Sequence, residues 1–294
     1  MYKRPTNWRA LRSMMVIACL SLLSACTNLT TLLFYPDTHY YRTPEQLSIA
    51  YQTITLTTED GSQLRSWIMT PKTPAKASIL FLHGNGENIS THMGSIAWIT
   101  EHGYEVFMLD YRGYGKSTGV PTLPTVFEDI ALAHEWLSTE RKLPIILIGQ
   151  SMGGALAITY SANLEEADRM TVDTLRPFSA LVSESAPASW PQIARDALSR
   201  HWLTWLAQAP ASLLPSDYDP VNFIAEVDHL PLLLMHSQED SIVGFEHFET
   251  LRDLAPPNTQ YLITEGPHIA ALAKEENRQA LLKFLKGTKK MGPL

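Results

Sequence analysis

The sequence predicts an α/β fold with a mostly parallel, doubly wound sheet, an antiparallel edge hairpin and a small helical cap. From residue 78 onwards, short apolar runs alternate with helical segments, which is typical of buried parallel strands joined by crossover helices. Two segments with period-two alternation precede them and predict the hairpin. Because 45% of the 294 residues are hydrophobic, one domain of this class can bury an ample core.

The hairpin is predicted to pair residues 52–57 with 63–70 around a turn at Asp60-Gly61. Single strands are predicted at 78–82, 105–109, 145–148, 180–182, 232–235 and 260–263. Helices are predicted at 89–102, 125–140, 154–165, 245–254 and 269–284. Residues 186–230, with Trp190, Trp202 and Trp205, interrupt this alternation. We interpret them as the cap over the carboxyl edge of the sheet, with a crossover helix and a long loop as the alternative.

Residues 1–25 predict an export signal. They carry four basic residues and no acidic one before an apolar run, 13–23, that is too short to span a bilayer as a stable helix. The run ends in Leu23-Ser24-Ala25-Cys26, which resembles the lipobox of bacterial lipoproteins, in which the cysteine carries diacylglycerol. A secretory signal cut after Ala25 and an uncleaved anchor are the alternatives. Thr27 is not the aspartate that favours inner-membrane retention, so the resemblance implies a lipid anchor in the outer membrane, facing the periplasm.

The predicted organisation is a signal at 1–25, a tether at 26–49, a domain at 50–288 and a tail at 289–294. The apolar cluster 32–36 within the tether is expected to dock on the domain. Of the two cysteines, Cys19 lies in the signal and Cys26 would be lipidated, so no disulfide is expected. The formal charge of −7 becomes −11 without the four basic residues of the signal, which argues against nucleic acid as a partner.

Gly149-Gln150-Ser151-Met152-Gly153 has the form of a nucleophile elbow. It follows an apolar run that predicts a buried strand and precedes a predicted helix, which is the strand-turn-helix context that a nucleophile elbow requires. A serine at such a turn takes a strained backbone conformation that only small neighbours tolerate, which explains Gly149 and Gly153. The sequence therefore predicts Ser151 as a nucleophile at the carboxyl edge of the sheet.

An elbow serine needs an oxyanion site, an acid and a base. The N–H of Met152 is predicted to be one oxyanion donor, and the loop that begins His83-Gly84-Asn85-Gly86 is predicted to supply the other. The two glycines allow the backbone to approach a ligand closely, and His83 is interpreted as a structural residue that fixes the loop.

Asp240 is the predicted acid, because it lies in the loop at the carboxyl end of the strand 232–235. Its neighbour Glu239 and Asp228 are rivals, but Asp228 precedes that strand and would lie at the opposite edge. His268 is the predicted base, since it alone among the ten histidines follows the last strand. His236 and His247 are expected to be structural or exposed.

With these motifs and Asp110-Tyr111-Arg112-Gly113-Tyr114-Gly115-Lys116-Ser117, the chain resembles α/β hydrolases of the serine aminopeptidase S33-like or Bem46-like group over residues 34–285. The order Ser151, Asp240, His268 is that of α/β hydrolases. The resemblance implies that Asn85 supplies the second oxyanion N–H and that Asp110 and Arg112 are architectural.

The expected function is hydrolysis of an acyl substrate through an acyl-enzyme, with no metal or redox cofactor. A carboxylic ester, with lysophospholipids included, is favoured by the apolar cap and the lipid anchor. An S33-type aminopeptidase or amidase is the first alternative, and it would need an acid for the substrate amine, for which Glu87 and Glu184 are available. A non-catalytic envelope lipoprotein that uses the fold for binding is the second alternative.

Overall fold

The computed structural model of the protein describes residues 29–168, 175–200 and 211–288. The predicted signal, Cys26, Thr27, the tail 289–294 and the tryptophans Trp202 and Trp205 lie outside the described residues. Among the helices of the described ranges, none combines the length and the apolar character that crossing a bilayer requires.

An eight-stranded sheet forms the centre of the domain, in the order β1-β2-β4-β3-β5-β6-β7-β8. The strands are β1 Ala50–Thr57, β2 Gln63–Thr70, β3 Ala77–Leu82, β4 Tyr104–Leu109, β5 Ile145–Gln150, β6 Phe178–Glu184, β7 Leu232–Ser237 and β8 Gln260–Thr264. Strand β2 pairs antiparallel with both β1 and β4, and all other pairs are parallel. The predicted fold class and edge hairpin are confirmed.

Helices cover both faces of the sheet. They are α1 Ile89–Ile96, α2 Leu123–Glu140, α3 Met152–Asp168, α4 Trp190–Ser199, α5 Phe245–Leu254 and α6 Glu275–Thr288. One core cluster joins α2, α3 and α5 to one face of the sheet, and the other joins α1 and α6 to the opposite face. Alternate residues of β3 serve the two clusters: Leu80 and Leu82 pack in the first, and Ile79 and Phe81 in the second.

Two boundaries are the main differences from the prediction, and the predicted helix 89–102 is α1 followed by a 3-10 helix, Ala97–His102. The last helix begins at Glu275 rather than at residue 269, because the six residues between form a loop with Ile269 at a φ of 52° and a short 3-10 turn at Ala271–Ala273. At the amino end, Leu33 and Phe34 are buried in the core, so the packed chain begins before the predicted domain start at residue 50.

The segment between β6 and β7 has more structure than a single crossover helix. Its described parts contain α4 and two 3-10 turns, Pro220–Asn222 and Ile224–His229. The start of α4 is fixed by hydrogen bonds from Trp190 N–H to Asp219 Oδ1 and from Trp190 Nε1 to the Tyr218 carbonyl. Whether this insertion covers the site as a cap stays a prediction.

A buried arginine joins the hairpin to α2. The Arg112 guanidinium lies 2.7 Å from Asp129 Oδ1, and it contacts Asp60 at the hairpin turn and Glu128 at 3.0 Å each. The Arg112 backbone N–H also donates to Asp129 Oδ2. This arrangement agrees with the architectural role that the resemblance implied for Arg112.

We predict that Arg112→Ala lowers the free energy of unfolding by about 3 to 5 kcal/mol, because it removes the charged partner of the buried Asp129 carboxyl and leaves it only the backbone N–H of residue 112. Urea unfolding followed by circular dichroism measures this. The control is Arg252→Ala, which removes exposed ion pairs to Asp253 and Glu249 and should cost less than about 1 kcal/mol. Equal losses for the two variants would contradict the architectural role of Arg112.

Candidate active site

Ser151 occupies a tight turn between β5, which ends at Gln150, and α3, which begins at Met152. Its φ of 53° is in the left-handed region that non-glycine residues rarely adopt. Its backbone N–H donates to the carbonyl oxygen of Glu184 at the end of β6, at 2.8 Å. The sharp turn therefore holds Ser151 at the carboxyl edge of the sheet, as the elbow prediction requires.

The glycines around Ser151 are required by close backbone contacts. A Cβ added to Gly149 would lie 2.1 Å from the Gly153 oxygen, and one added to Gly153 would lie 2.1 Å from the Leu82 oxygen. A Cβ added to Gly154 would lie 2.7 Å from the Ser183 hydroxyl oxygen. Helix α3 thus starts in contact with β3 and β5, and any larger residue would push the elbow outwards.

Asp240 and His268 are joined directly, with 2.7 Å between Asp240 Oδ2 and His268 Nδ1. The other carboxylate oxygen, Oδ1, accepts the backbone N–H groups of Ile242 and Val243 at 2.9 Å each. Burial raises the pKa of Asp240, but these bonds from His268 and the backbone outweigh it, so the net pKa is lowered. The structure therefore pairs an ionised carboxylate with His268, whose Nδ1–H donates and whose Nε2 is left as the acceptor.

The rivals of Asp240 have other positions. Glu239 Oε2 accepts the backbone N–H of Gly266 at 2.8 Å, so it ties the histidine loop to the acid loop. Asp228 is exposed on the 3-10 turn before β7. His236 is buried and donates to the Val243 carbonyl, and His247 is buried on α5. Of these residues, Glu239 and His236 hold structure around the Asp240 loop.

The glycine-rich loop after β3 lies against the elbow. A Cβ added to Gly84 would be 3.3 Å from Ser151 Cβ, which places Asn85 beside the serine. Gly86 has a φ of 76°, and Asn88 caps α1 by accepting from Ser90 N–H. In the described residues no hydrogen bond is made by the Asn85 N–H, and Met152 N–H has no partner within α3 because it opens the helix. Both groups are thus available as oxyanion donors.

The side chain of Asn85 anchors the amino-terminal segment. Its Oδ1 accepts from Tyr35 N–H at 2.8 Å and from the Tyr114 hydroxyl at 2.9 Å, while its Nδ2 donates to the Leu33 carbonyl. We call residues 33–41 the amino-terminal strap, because Asn88 also donates to the carbonyls of Asp37 and His39. Asn85 was predicted only as an N–H donor, because no local sequence pattern connects its side chain with the strap.

His83 is fully buried under Tyr111 and Tyr114, and its Nδ1 donates to the Gly84 carbonyl at 2.7 Å. Its Nε2 lies 3.5 Å from Asp110 Oδ1. Burial lowers the pKa of His83 well below its usual range, and burial raises the pKa of Asp110 to about 7. His83 is therefore a neutral residue that fixes the loop.

Glu184 links the elbow to the histidine loop. It is 2% exposed, and its Oε2 accepts from Gln150 Nε2 at 2.6 Å while its Oε1 accepts from Ala271 N–H at 3.1 Å. Gln150 Oε1 in turn accepts from the Ser95 hydroxyl of α1. Burial raises the pKa of Glu184, against the bonds from Gln150 and Ala271. Since both oxygens are engaged and the side chain is buried, Glu184 does not provide the exposed amine subsite considered for it.

One group of potential metal ligands occurs among the described residues: oxygen or nitrogen atoms of Asp196, Glu246 and His247 lie within 4.8 Å of one another. His247 Nδ1 accepts from Ala188 N–H, so Nε2 carries the proton and donates to Asp196 Oδ2 at 3.1 Å. Both imidazole nitrogens are therefore already used, and the group joins α4 to α5.

We predict that Gly149→Ala lowers the free energy of unfolding by at least about 3 kcal/mol, because its methyl group would meet the Gly153 backbone at 2.1 Å. Chemical denaturation of the purified variant measures this loss. Gly94→Ala in α1 is the control, since its methyl group meets nothing within 4 Å and should add about 0.5 to 1 kcal/mol. A stable Gly149→Ala protein would refute the packing of the elbow.

Sequence comparisons agree with this architecture. The family model described as "Serine aminopeptidase, S33" matches residues 73–222. The chain is 31% identical over 263 residues to the protein YfhR of Escherichia coli O157:H7, and the alignment covers 86% of this chain and 85% of YfhR. It is 29% identical over 209 residues to the protein bem46 of Schizosaccharomyces pombe, and that alignment covers 68% of this chain and 64% of bem46.

Among solved structures, the protein is similar to the esterase Pf2001 of Pyrococcus furiosus, with a TM-score of 0.70 and 23% identity. The alignment covers 86% of this chain and 97% of that chain. At this identity the structural similarity shows a shared fold. The match to the family model and the identity to YfhR show the family. The chain therefore belongs to the serine aminopeptidase S33 family of α/β hydrolases, in its Bem46-like group, and is a hydrolase.

Proposed function

We propose that the protein is a serine hydrolase that cleaves carboxylic esters, of esterase or lysophospholipase type, through a Ser151, His268, Asp240 triad. The observation that carries this proposal is the 2.7 Å bond between Asp240 and His268 at the sheet edge where Ser151 stands on its strained turn. A buried carboxylate bound to Nδ1 leaves Nε2 of the imidazole free to accept a proton, which is the tautomer that a serine nucleophile needs.

In the proposed mechanism, His268 Nε2 takes the proton of the Ser151 hydroxyl as its oxygen attacks the substrate carbonyl. The N–H groups of Met152 and Asn85 hold the oxyanion of the tetrahedral intermediate, and the positive end of α3 adds to this stabilisation. His268 then gives the proton to the leaving alcohol, which leaves an acyl group on Ser151. Water, deprotonated by His268, releases the acid and restores the serine.

An ester is favoured over an amino-terminal peptide substrate by the charges around the site. An aminopeptidase needs an acidic group that meets the substrate amine, and Glu184 is excluded because both its oxygens are bound inside the protein. Glu87 remains, exposed in the loop after Asn85. The structurally similar Pyrococcus furiosus protein is an esterase. Aminopeptidase or amidase activity is therefore the second candidate, with Glu87 as its amine-binding group.

We also propose that the enzyme is attached to the outer membrane through a lipid on Cys26 and faces the periplasm. The lipobox and the basic export signal support this placement. If Cys26→Ala still incorporates a fatty-acid analogue in metabolic labelling, the proposed lipid attachment at Cys26 is contradicted.

We predict that a fluorophosphonate probe labels the wild-type protein and that Ser151→Ala abolishes the labelling. Asp240→Asn should lower kcat for p-nitrophenyl esters by about 10⁴-fold, because the histidine loses the partner that fixes its tautomer. Glu239→Gln is the matched control, since this neighbouring carboxylate contacts Gly266 and not His268, and its kcat should stay within a few fold of wild type.

A panel of p-nitrophenyl esters and aminoacyl anilides separates the candidate functions. Cleavage of anilides alone would replace the esterase proposal with the aminopeptidase. An unreactive wild type, or labelling that persists in Ser151→Ala, would remove the serine hydrolase and favour the non-catalytic alternative.

We further predict that Glu184→Gln lowers kcat by about tenfold to a hundredfold with little change in KM, because the elbow and the histidine loop lose their common acceptor. In this variant two amide groups would face each other where Gln150 now donates to a carboxylate. The double variant Gln150→Glu with Glu184→Gln restores one carboxylate and one amide and should recover part of the rate. Steady-state kinetics on one soluble ester measure this, and a wild-type rate in Glu184→Gln would contradict the linking role.

A further inference from the structure

We propose that exposed apolar side chains around the active site form a membrane-docking surface that turns the site towards a zwitterionic phospholipid leaflet. We call these side chains the apolar rim and define it as Leu32, Tyr35 and Ile242. The inference rests on the proposed function for its substrate, which becomes the acyl ester of a lipid taken from that leaflet. The docking itself depends on the positions of the rim and of the amino-terminal chain and on the proposed lipid anchor at Cys26, and not on the substrate.

One side of the rim lies on the strap that holds the oxyanion loop and on Leu32, the residue just before the strap. Leu32 is 65% exposed and Tyr35 is 68% exposed, whereas Leu33 and Phe34 between them are buried in the core. Tyr35 N–H donates to Asn85 Oδ1, and Asn85 follows the glycine that lies against Ser151. Two large apolar side chains are therefore exposed on the chain segment that holds the oxyanion loop.

The other side of the rim lies on the acid loop. Ile242 is 47% exposed, and its backbone N–H donates to Asp240 Oδ1 at 2.9 Å. Its carbonyl accepts from the Arg200 guanidinium at the end of α4, which holds this loop in place. Exposed apolar side chains thus lie next to the oxyanion loop and on the acid loop, both of which follow strand ends at the carboxyl edge of the sheet.

The amino-terminal chain reaches the domain at this same edge. The Thr30 hydroxyl is buried and accepts from Leu123 N–H at the start of α2, which fixes the chain there. Only three residues separate Cys26 from Thr30, so their Cα atoms lie at most about 14 Å apart. A domain of this size has a radius of roughly 23 Å, so an anchor at Cys26 cannot let the opposite edge reach the bilayer.

The charges near the rim select the kind of surface. These charges are mixed: Glu87 is an exposed carboxylate and Asp37 a partly exposed one, whereas Lys116 donates to the Thr38 carbonyl and Arg200 to the Ile242 carbonyl. The whole chain has a formal charge of −7, which an anionic leaflet would repel and a zwitterionic one would not. The occupant that fits the rim is therefore a phosphatidylcholine- or phosphatidylethanolamine-like surface, into which Leu32 and Tyr35 insert.

This orientation assigns the substrate class. A single-chain acyl ester such as a lysophospholipid can leave the leaflet between the two sides of the rim with its ester at the level of Ser151. Hydrolysis then adds one water across the ester bond and yields a fatty acid and a glycerophospho-alcohol.

The first test locates the contact without using activity. The full chain is reconstituted in phosphatidylcholine vesicles that contain a photoactivatable phosphatidylcholine, and adducts are mapped by mass spectrometry. We expect adducts on peptides containing residues 32–35 and 242, and none on the end of α5. Leu254 at that end is also exposed, at 46%, but α5 follows β7 and runs back to the opposite edge of the sheet. Adducts at Leu254, or none at the rim, would overturn the docking surface.

The second test measures whether the apolar rim contributes to the hydrolysis of a lipid in the membrane. In the same vesicles, Leu32→Glu should lower the hydrolysis of lysophosphatidylcholine by about tenfold, because an apolar contact with the leaflet is lost, and leave that of p-nitrophenyl butyrate within twofold. Leu254→Glu is the matched control and should change neither rate. An unchanged lipid rate in Leu32→Glu, or equal loss of both rates, would overturn the proposal. Failure of the wild type on both esters, with rim adducts present, would instead refute the proposed function and leave the docking surface standing.

Discussion

The backbone turn at Ser151 is the constraint on which the site depends. A serine with a φ of 53° is tolerated only because Gly149, Gly153 and Leu82 bring three backbones into direct contact around it. Such strain costs about 1 to 3 kcal/mol and persists only where the surrounding structure fixes it. The core packing of α3 against the centre of the sheet supplies that fixation, so the stability of the fold and the exposure of the nucleophile are coupled.

Buried polar contacts bring the separate loops to this turn. Glu184 accepts from Ser151 through its backbone and from Gln150 and Ala271 through its side chain, so one residue positions both the elbow and the histidine loop. Asn85 performs a similar task on the other side by tying the strap to the oxyanion loop. Because these groups are fully engaged inside the protein, they set the geometry of the site and leave the choice of substrate to the exposed residues at its rim.

The sequence predicted the strands and the order of Ser151, Asp240 and His268 because each depends on local pattern: apolar periodicity, and polar residues that follow strand ends. It placed the start of the last helix six residues early, since the loop after His268 is held by a contact with Glu184, which is distant in sequence. It expected the apolar cluster 32–36 to dock on the domain but still assigned the segment to the tether, because Leu33 and Phe34 become core residues only when α2 and the hairpin are folded around them. Glu184 was considered for binding a substrate amine. Its position at the end of an apolar strand was the only feature of the sequence that indicated its linking role.

A crystal structure of the protein after reaction with a fluorophosphonate shows directly whether Ser151 is the nucleophile and which groups bind the oxyanion. We expect phosphorus bonded to Ser151 Oγ, with one phosphonyl oxygen about 2.7 to 3.1 Å from both the Met152 and Asn85 backbone nitrogens. We also expect that the His268–Asp240 bond is preserved in the adduct. An adduct on another residue, or an oxygen directed away from these two N–H groups, would contradict the proposed mechanism.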